Sequence, residues 1–75
     1  MKEGERMSLS LKAARINAGL TRPEVVARLK SEFDISITVN TLGNYEKAGG
    51  TQPDINTGKA LASIYGMSVD DIKFF

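Results

Sequence analysis

Short stretches with apolar residues three or four positions apart recur along the chain, separated by turn-forming residues. In the first of them, Leu11 and Ala14 have this spacing and follow Ser10. Side chains spaced in this way share one face of an α-helix, and a serine in front of them is a favoured N-cap. The pattern predicts a first helix over residues 10–18, with Gly19 as its natural C-terminal stop.

The second stretch begins with the signature of a capping box. Thr21 precedes Glu24 by three positions, so each side chain can bond to the backbone N–H of the other residue. Val25 and Leu29 then form an apolar stripe. The pattern predicts a second helix that starts at Thr21 and extends toward Phe33.

The third predicted helix covers residues 38–47, with Thr38 as its N-cap. Leu42 and Tyr45 lie three positions apart and form one apolar edge together with Ile37, which stands just outside the cap. The opposite edge is short, uncharged and mostly polar, and it consists of Val39, Asn40, Gly43 and Asn44. An edge of this kind suits close approach to another surface better than it suits solvation.

Two more helices are predicted toward the C-terminus. Asp54 is a natural N-cap for a helix over residues 55–65, which has an inward apolar side. Ser68 and Asp71 then resemble a capping box that starts a last short helix over residues 69–74. No segment alternates between apolar and polar residues as a half-buried strand does.

These patterns predict an all-α fold, a compact five-helix domain over residues 10–75. Residues 1–9 show no apolar period, contain Gly4, and carry two cations against two anions. We therefore expect them to form a flexible N-terminal arm.

The composition excludes several classes of function. The chain of 75 residues is one domain and has no cysteine and no histidine. Disulfides, thiolate metal sites and the commonest general base are therefore missing. We expect no metal, no cofactor, no small-molecule ligand and no enzymatic activity. No apolar run approaches the roughly 20 residues of a membrane span, and the N-terminus lacks the apolar core of a secretory signal. A cytoplasmic protein without a membrane partner is expected.

The charges are distributed unevenly although the net charge is only +1. Residues 12–30 carry five cations against one anion, whereas residues 51–75 carry two cations against three anions. A basic face in the N-terminal half would steer a polyanion such as nucleic acid. Ordinary solvated helix faces would have the same composition, so charge alone does not decide between the two interpretations.

The order of these stretches resembles the Cro/CI-type phage-repressor helix-turn-helix family, also called XRE-like. The resemblance covers residues 11–72. It rests on Leu11 with Arg15, Gly19-Leu20-Thr21, Thr41-Leu42 with Tyr45-Glu46, and the segment 62–72. It implies a phage-repressor-like DNA-binding domain of five packed helices, in which the second and third form the helix-turn-helix. The third helix of such a domain lies in the major groove of DNA.

The resemblance also implies roles for single residues. Val39, Asn40 and Asn44 match the base-reading positions of the family. Asparagine suits adenine, because its amide can donate to N7 and accept from N6, and Val39 would contact a thymine methyl group. Gly43 would let the helix approach the duplex closely.

Two further sets of residues match family positions outside the base-reading edge. Arg15 and Glu46 match a structural ion pair between the first helix and the end of the third. Thr21 and Arg22 match positions that contact the phosphate backbone, and Lys47 and Thr51, in the loop after the third helix, are second candidates for such contacts. At the start of the second helix, free backbone N–H groups favour an anion even before Arg22 adds its charge.

The chain departs from the family between the second and third helices. Family members have a tight turn there, whereas residues 30–36 form an apparent insertion. Either the second helix runs one to two turns longer or the turn becomes a loop. Phe33 and Ile35 are apolar, so we expect the insertion to fold back onto the core.

Two hypotheses of function follow. The first is a sequence-specific regulator of transcription that binds double-stranded DNA, a small repressor or Cro-like protein of a phage or mobile element, acting as a homodimer on a two-fold site. The second is a protein-interaction module of the antitoxin or antirepressor kind. Its interface would be the apolar C-terminal end, with Ile72, Phe74 and Phe75.

Overall fold

The computed structural model describes residues 9–47 and 49–73 of the chain. Within these residues the α-helices are α1 (Leu11–Asn17), α2 (Arg22–Phe33), α3 (Val39–Glu46) and α4 (Ile55–Tyr65). A one-turn 3-10 helix, Val69–Asp71, follows α4. Two strands of two residues each, β1 (Leu9–Ser10) and β2 (Ile72–Lys73), pair in parallel.

The helix starts lie where the capping residues predict them. Thr21 and Glu24 form a reciprocal capping box: the Thr21 N–H donates to Glu24 Oε1 at 2.8 Å, and the Glu24 N–H donates to Thr21 Oγ1 at 3.4 Å. These hydrogen bonds, above all the one from the Thr21 backbone, lower the pKa of Glu24. Ser10 and Thr38 likewise accept a backbone N–H in the first turns of α1 and α3. Three of the four α-helices therefore begin at a side-chain cap with local hydrogen bonds.

Glycines in the left-handed region end α1 and α4. Gly19 has φ +75° and Gly66 has φ +71°, a conformation that residues with a Cβ rarely adopt. After Gly19, the Leu20 N–H returns to the Arg15 carbonyl at 3.2 Å. Such an ending satisfies carbonyl groups that the helix leaves without partners.

The core takes one leucine from each α-helix. All four of these side chains are fully buried, and they are Leu11, Leu29, Leu42 and Leu61. Burying a leucine contributes roughly 1.5–3 kcal/mol relative to leaving it exposed. This shared core fixes α3 against the rest of the domain through its inward side.

The prediction of five helices is wrong. The helix predicted over residues 69–74 is a single 3-10 turn, in which the Asp71 N–H donates to the Ser68 carbonyl at 2.9 Å. At Ile72 the backbone is already extended, with φ −104° and ψ 130°. Ile72 is 5% exposed and pairs with Leu9 in the two-stranded sheet. A single helical turn is marginally stable by itself, so core burial and strand pairing at Ile72 determine the conformation instead.

The boundary of the predicted N-terminal arm also differs at one residue. Leu9 belongs to β1 and packs against the core, because its partner strand brings it next to Ile72. Residues 1–8 of the predicted arm, like Phe74 and Phe75, lie outside the described residues.

The insertion between α2 and α3 lengthens the helix and also adds a loop. The helix runs to Phe33, where Asp34 adopts a left-handed conformation with φ 56°. This turn brings Ile35 back against the core, but Phe33 remains 39% exposed. The expectation that both apolar residues return to the core is therefore correct only for Ile35.

Among the described residues, no helix combines the length and the apolar character needed to cross a membrane.

Candidate nucleic-acid interface

The two sides of α3 differ in their contacts. On the inward side, Leu42 is fully buried and Tyr45 packs against the core together with Ile37 of the preceding loop. On the outward side, Val39, Asn40 and Asn44 are exposed. We call these three residues, together with Gly43 between them, the outward face of α3. These are the same four residues that the sequence pattern assigns to the polar edge of the third helix.

The two asparagines of the outward face are available to a ligand. Asn40 and Asn44 are four positions apart, so their side chains lie one above the other along the helix. Within residues 9–47 and 49–73 neither amide group has a hydrogen-bond partner. Each amide presents two donors and one carbonyl acceptor. The pair can therefore recognise a surface on which donors and acceptors alternate.

A buried carboxylate anchors the C-terminal end of α3. The Glu46 side chain is 1% exposed, and its Oε2 accepts from Arg15 Nε at 2.8 Å. A second bond runs from Arg15 Nη2 to Glu46 Oε1 at 3.3 Å, and Arg15 Nη1 donates to the Leu20 carbonyl at 3.0 Å. The hydrogen bond to Glu46 raises the pKa of Arg15, which keeps its guanidinium charged. This is the pair that the sequence resemblance implies, and it joins α1 to α3.

A second arginine binds the same carboxylate. Arg22, the first residue of α2, donates from Nε to Glu46 Oε1 at 3.0 Å. Sequence reasoning gave Arg22 a role toward phosphate and missed this contact, because the two residues are 24 positions apart in different helices. No local pattern signals such a pair. We refer to Arg15, Arg22 and Glu46 as the arginine–glutamate cluster.

The Arg22 guanidinium also lies against the outward face of α3. A Cβ added at Gly43 would be 3.8 Å from both Cζ and Nη1 of Arg22. A Cβ at this position would thus be in ordinary van der Waals contact with the guanidinium, which places the guanidinium against α3 at Gly43. The Arg22 side chain is 39% exposed, so a partly exposed cation from α2 lies next to Gly43 of the outward face.

Thr21, a predicted phosphate contact, is occupied by its capping box. Its hydroxyl donates to Glu24 Oε1 at 3.0 Å and its backbone N–H donates to the same oxygen at 2.8 Å. The Glu24 carboxylate thus occupies the Thr21 N–H and places a negative charge at the start of α2. Arg22 is the positively charged side chain at this helix start.

The other two predicted phosphate contacts lie in the loop after α3. Lys47 and Thr51 are both exposed, and the Gly50 N–H donates to the Lys47 carbonyl at 2.9 Å. A Cβ at Gly50 would overlap the carbonyl oxygen of Asn44. The loop therefore closes tightly against the end of α3, where Lys47 directly follows the last helical residue.

The C-terminal residues give little support to a protein interface. Ile72 belongs to the buried core, so it is not exposed to a partner. Phe74 and Phe75, the other two residues of the predicted interface, lie outside the described residues. Elsewhere, a cavity of about 310 Å³ lies between the start of α4 and the 3-10 turn, lined by Pro53, Ile55, Gly58 and Val69 among others.

One buried polar group lies close to the cluster without a partner of its own. The Tyr65 hydroxyl is buried and has no hydrogen-bond partner among the described residues. Burial raises the pKa of Tyr65 strongly, and the nearby negative charge of Glu46 adds to the effect. The phenol is therefore neutral and acts as part of the core.

The fold and the site define a small helical domain with a polar outward helix face held by a buried ion cluster. Comparisons of the chain with protein-family models, curated proteins and solved structures give no match. In the described residues, no group of three potential metal ligands comes together. What the site can do follows from its geometry.

Proposed function

We propose that the protein is a sequence-specific regulator of transcription that binds double-stranded DNA with α3 in the major groove. The observation that carries the proposal is the pair of amides of Asn40 and Asn44, which are exposed on one helix face and have no hydrogen-bond partner among the described residues. The Arg22 guanidinium lies next to Gly43 of the same face, so the face offers both base-edge hydrogen bonds and a charge for the backbone. The resemblance to the Cro/CI-type helix-turn-helix family supports the same conclusion.

The dimensions of α3 suit a groove. The major groove is about 12 Å wide and admits one α-helix. Eight residues of helix extend about 12 Å, which corresponds to three or four base pairs at about 3.4 Å each. Each asparagine would pair with an adenine, and Val39 would contact a thymine methyl group. Arg22 and Lys47 would contact the phosphate backbone.

We further propose that the protein acts as a homodimer on a two-fold site. A single α3 reads too few base pairs to select one site among the many competing sites of a genome. Two copies related by a two-fold axis would read half-sites about one helical turn apart, roughly 34–36 Å. Such a protein would act in the cytoplasm as a small repressor or Cro-like switch, as the resemblance implies.

The test is selection of bound duplexes from a random pool, followed by affinity measurements. The expected product is a palindromic site with adenine in each half. Asn40→Ala and Asn44→Ala should each weaken binding to this site by about tenfold, since a good bidentate contact contributes about 1–3 kcal/mol of discrimination. Asn17→Ala is the matched control, because Asn17 is also exposed but lies at the end of α1.

Two results would contradict the proposal. One is a pool that shows no enrichment after selection. The other is equal affinity of wild type, Asn40→Ala and Asn44→Ala for the selected duplex, which would remove α3 from the interface.

The second hypothesis, a protein-interaction module with an apolar C-terminal end, has no specific observation in its favour among the described residues. Its first residue, Ile72, is buried. We do not propose it here.

A further inference from the structure

We propose that Glu46 is a positioning residue for DNA binding in addition to its structural role. One of its carboxylate oxygens holds the Arg22 guanidinium over Gly43, beside the outward face of α3. From there the guanidinium engages a pair of hydrogen-bond acceptors on the duplex. This inference rests on the proposed function and adds a part of the site that neither the sequence pattern nor the resemblance assigns.

The arginine–glutamate cluster carries more positive than negative charge. Glu46 gives Oε2 to Arg15 at 2.8 Å and shares Oε1 between Arg15 at 3.3 Å and Arg22 at 3.0 Å. Two guanidinium groups against one carboxylate leave one positive charge in excess. The side chain of Arg15 is 11% exposed, whereas that of Arg22 is 39% exposed. The excess charge therefore reaches solvent at Arg22.

Arg22 retains donors without a hydrogen-bond partner among the described residues. Its Nε is bound to Glu46, which leaves the two terminal nitrogens with four N–H groups. Such a fork matches two acceptors at once, either two phosphate oxygens or O6 and N7 of a guanine. Both kinds of acceptor belong to DNA and present the same chemistry to the guanidinium.

The guanidinium of Arg22 is held in a fixed position. The bond to Glu46 holds it from one side, and it lies on the side of α3 where a Cβ added at Gly43 would be 3.8 Å from its Cζ and Nη1. A side chain that is ordered before binding loses less conformational entropy on binding. The outward face of α3 has no charged residue of its own, so this ordered cation from α2 supplies what α3 lacks.

The experiment is a double-mutant cycle on DNA affinity. Wild type, Arg22→Met, Glu46→Gln and the double variant are titrated with the duplex obtained by selection, and with a scrambled duplex of equal length, at several salt concentrations. Arg22→Lys is added because it keeps the charge but loses Nε and the planar fork. Arg28→Met and Glu32→Gln are matched controls, since Arg28 and Glu32 also pair at 2.8 Å but lie exposed on α2.

The expected result is a coupled loss. Arg22→Met and Glu46→Gln should each weaken binding about tenfold, as expected for a hydrogen bond to a charged group. In the Arg22→Met background, Glu46→Gln should cost less than about threefold, because the residue that it positions is already missing. Arg22→Lys should lose nearly as much as Arg22→Met. The controls should bind like wild type.

The Arg22→Met variant also shows which group of the DNA Arg22 contacts. If Arg22 engages a guanine, selection with Arg22→Met relaxes the preference at one base pair of each half-site. If it engages phosphate, the variant binds all sequences less tightly and the slope of log affinity against log salt falls by about one. Either result supports the inference and identifies the acceptor.

Two results would contradict the role of Glu46, and a third would contradict the proposed function. Equal effects of Glu46→Gln in the wild-type and Arg22→Met backgrounds would overturn the inference, and so would wild-type affinity of Arg22→Lys. If Glu46→Gln does not fold in a thermal melt, Arg22→Lys decides alone, because it leaves the bond between Arg15 and Glu46 intact. Absence of any preference of the wild-type protein for the selected duplex would instead refute the proposed function.

Discussion

Two arginine–glutamate pairs in this protein have the same bond length but different surroundings. Arg15 and Glu46 approach to 2.8 Å between Nε and Oε2, and Arg28 and Glu32 approach to the same distance. The Glu46 side chain is 1% exposed, whereas that of Glu32 is 43% exposed. The first pair joins two helices and the second lies within one turn of α2.

The difference shows that burial, and not bond length, decides what an ion pair does for a fold. The exposed pair competes with water and with salt, and it holds together residues that the helix already keeps close. The buried pair replaces lost hydration with its own hydrogen bonds, with a bond from Arg22 to Glu46, and with a bond from Arg15 to the Leu20 carbonyl. Loss of one member strands the other charge in the core.

The largest effect is expected for Glu46→Ala. Removal of the carboxylate leaves the buried Arg15 charge without its counter-ion, which costs about 3–5 kcal/mol of the free energy of unfolding. Small domains have about 5–15 kcal/mol in total, so the variant should be marginal or unfolded. Urea titration followed by circular dichroism measures the change. Glu32→Ala is the control, and equal stability of the two variants would refute the contrast between the pairs.

A smaller effect is expected for Arg15→Met. Glu46 retains its bond to Arg22, but the Leu20 carbonyl also loses its donor. The expected loss is about 2–3 kcal/mol, the value typical of hydrogen bonds to charged groups. Arg28→Met should stay near wild type in the same urea titration. If Arg28→Met lowered the free energy of unfolding as much as Arg15→Met, solvent exposure would not weaken the pair of Arg28 and Glu32.

Tyr65→Phe tests the polar surroundings of the cluster. The Tyr65 hydroxyl is buried and lacks a partner among the described residues, so its removal should leave the stability unchanged or raise it by about 1 kcal/mol. Thermal unfolding of the two proteins at neutral pH gives the comparison. A loss of more than about 1 kcal/mol would instead mean that the hydroxyl is bonded in solution.

The smallest effect is the pH dependence of the exposed pair. The hydrogen bond from Arg28 lowers the pKa of Glu32 below its ordinary value of 4.5. A group with a lowered pKa contributes in full above its ordinary pKa, and the contribution is lost as the pH falls through the lowered value. Below about pH 4.5, the free energy of unfolding of Glu32→Gln should therefore fall less than that of the wild type. At pH 7 the two proteins should have almost the same free energy of unfolding. High salt should reduce even this difference, which a series of melts from pH 3 to 7 would record. Identical pH profiles for the variant and the wild type would contradict this prediction.

Much of the helical architecture could be predicted because its signals are local. Thr21 with Glu24 starts α2, and Gly19 ends α1, through contacts within a few positions of each other. The bounds of α4, Ile55–Tyr65, are those predicted from its apolar spacing. Apolar spacing also separates the two sides of α3, so the candidate base-reading residues Asn40 and Asn44 are exposed as the pattern requires.

Two features could not be predicted from the apolar spacing within one segment. Ile72 is extended and not helical, because it pairs with Leu9 and fills the core. Phe33 stays half-exposed while Ile35 is packed, because the left-handed turn at Asp34 sets which one returns. No periodicity within a single segment contains this information.

The sequence by itself determined the four α-helices, their caps and the outward face of α3, since caps and helical spacing act between residues at most four positions apart. Only the tertiary structure decided what surrounds that face. The contact of Arg22 with Glu46 spans 24 positions and exists because α1, α2 and α3 meet there around one buried carboxylate. A buried charge requires partners from wherever the fold supplies them, and those partners are not readable from any single helix.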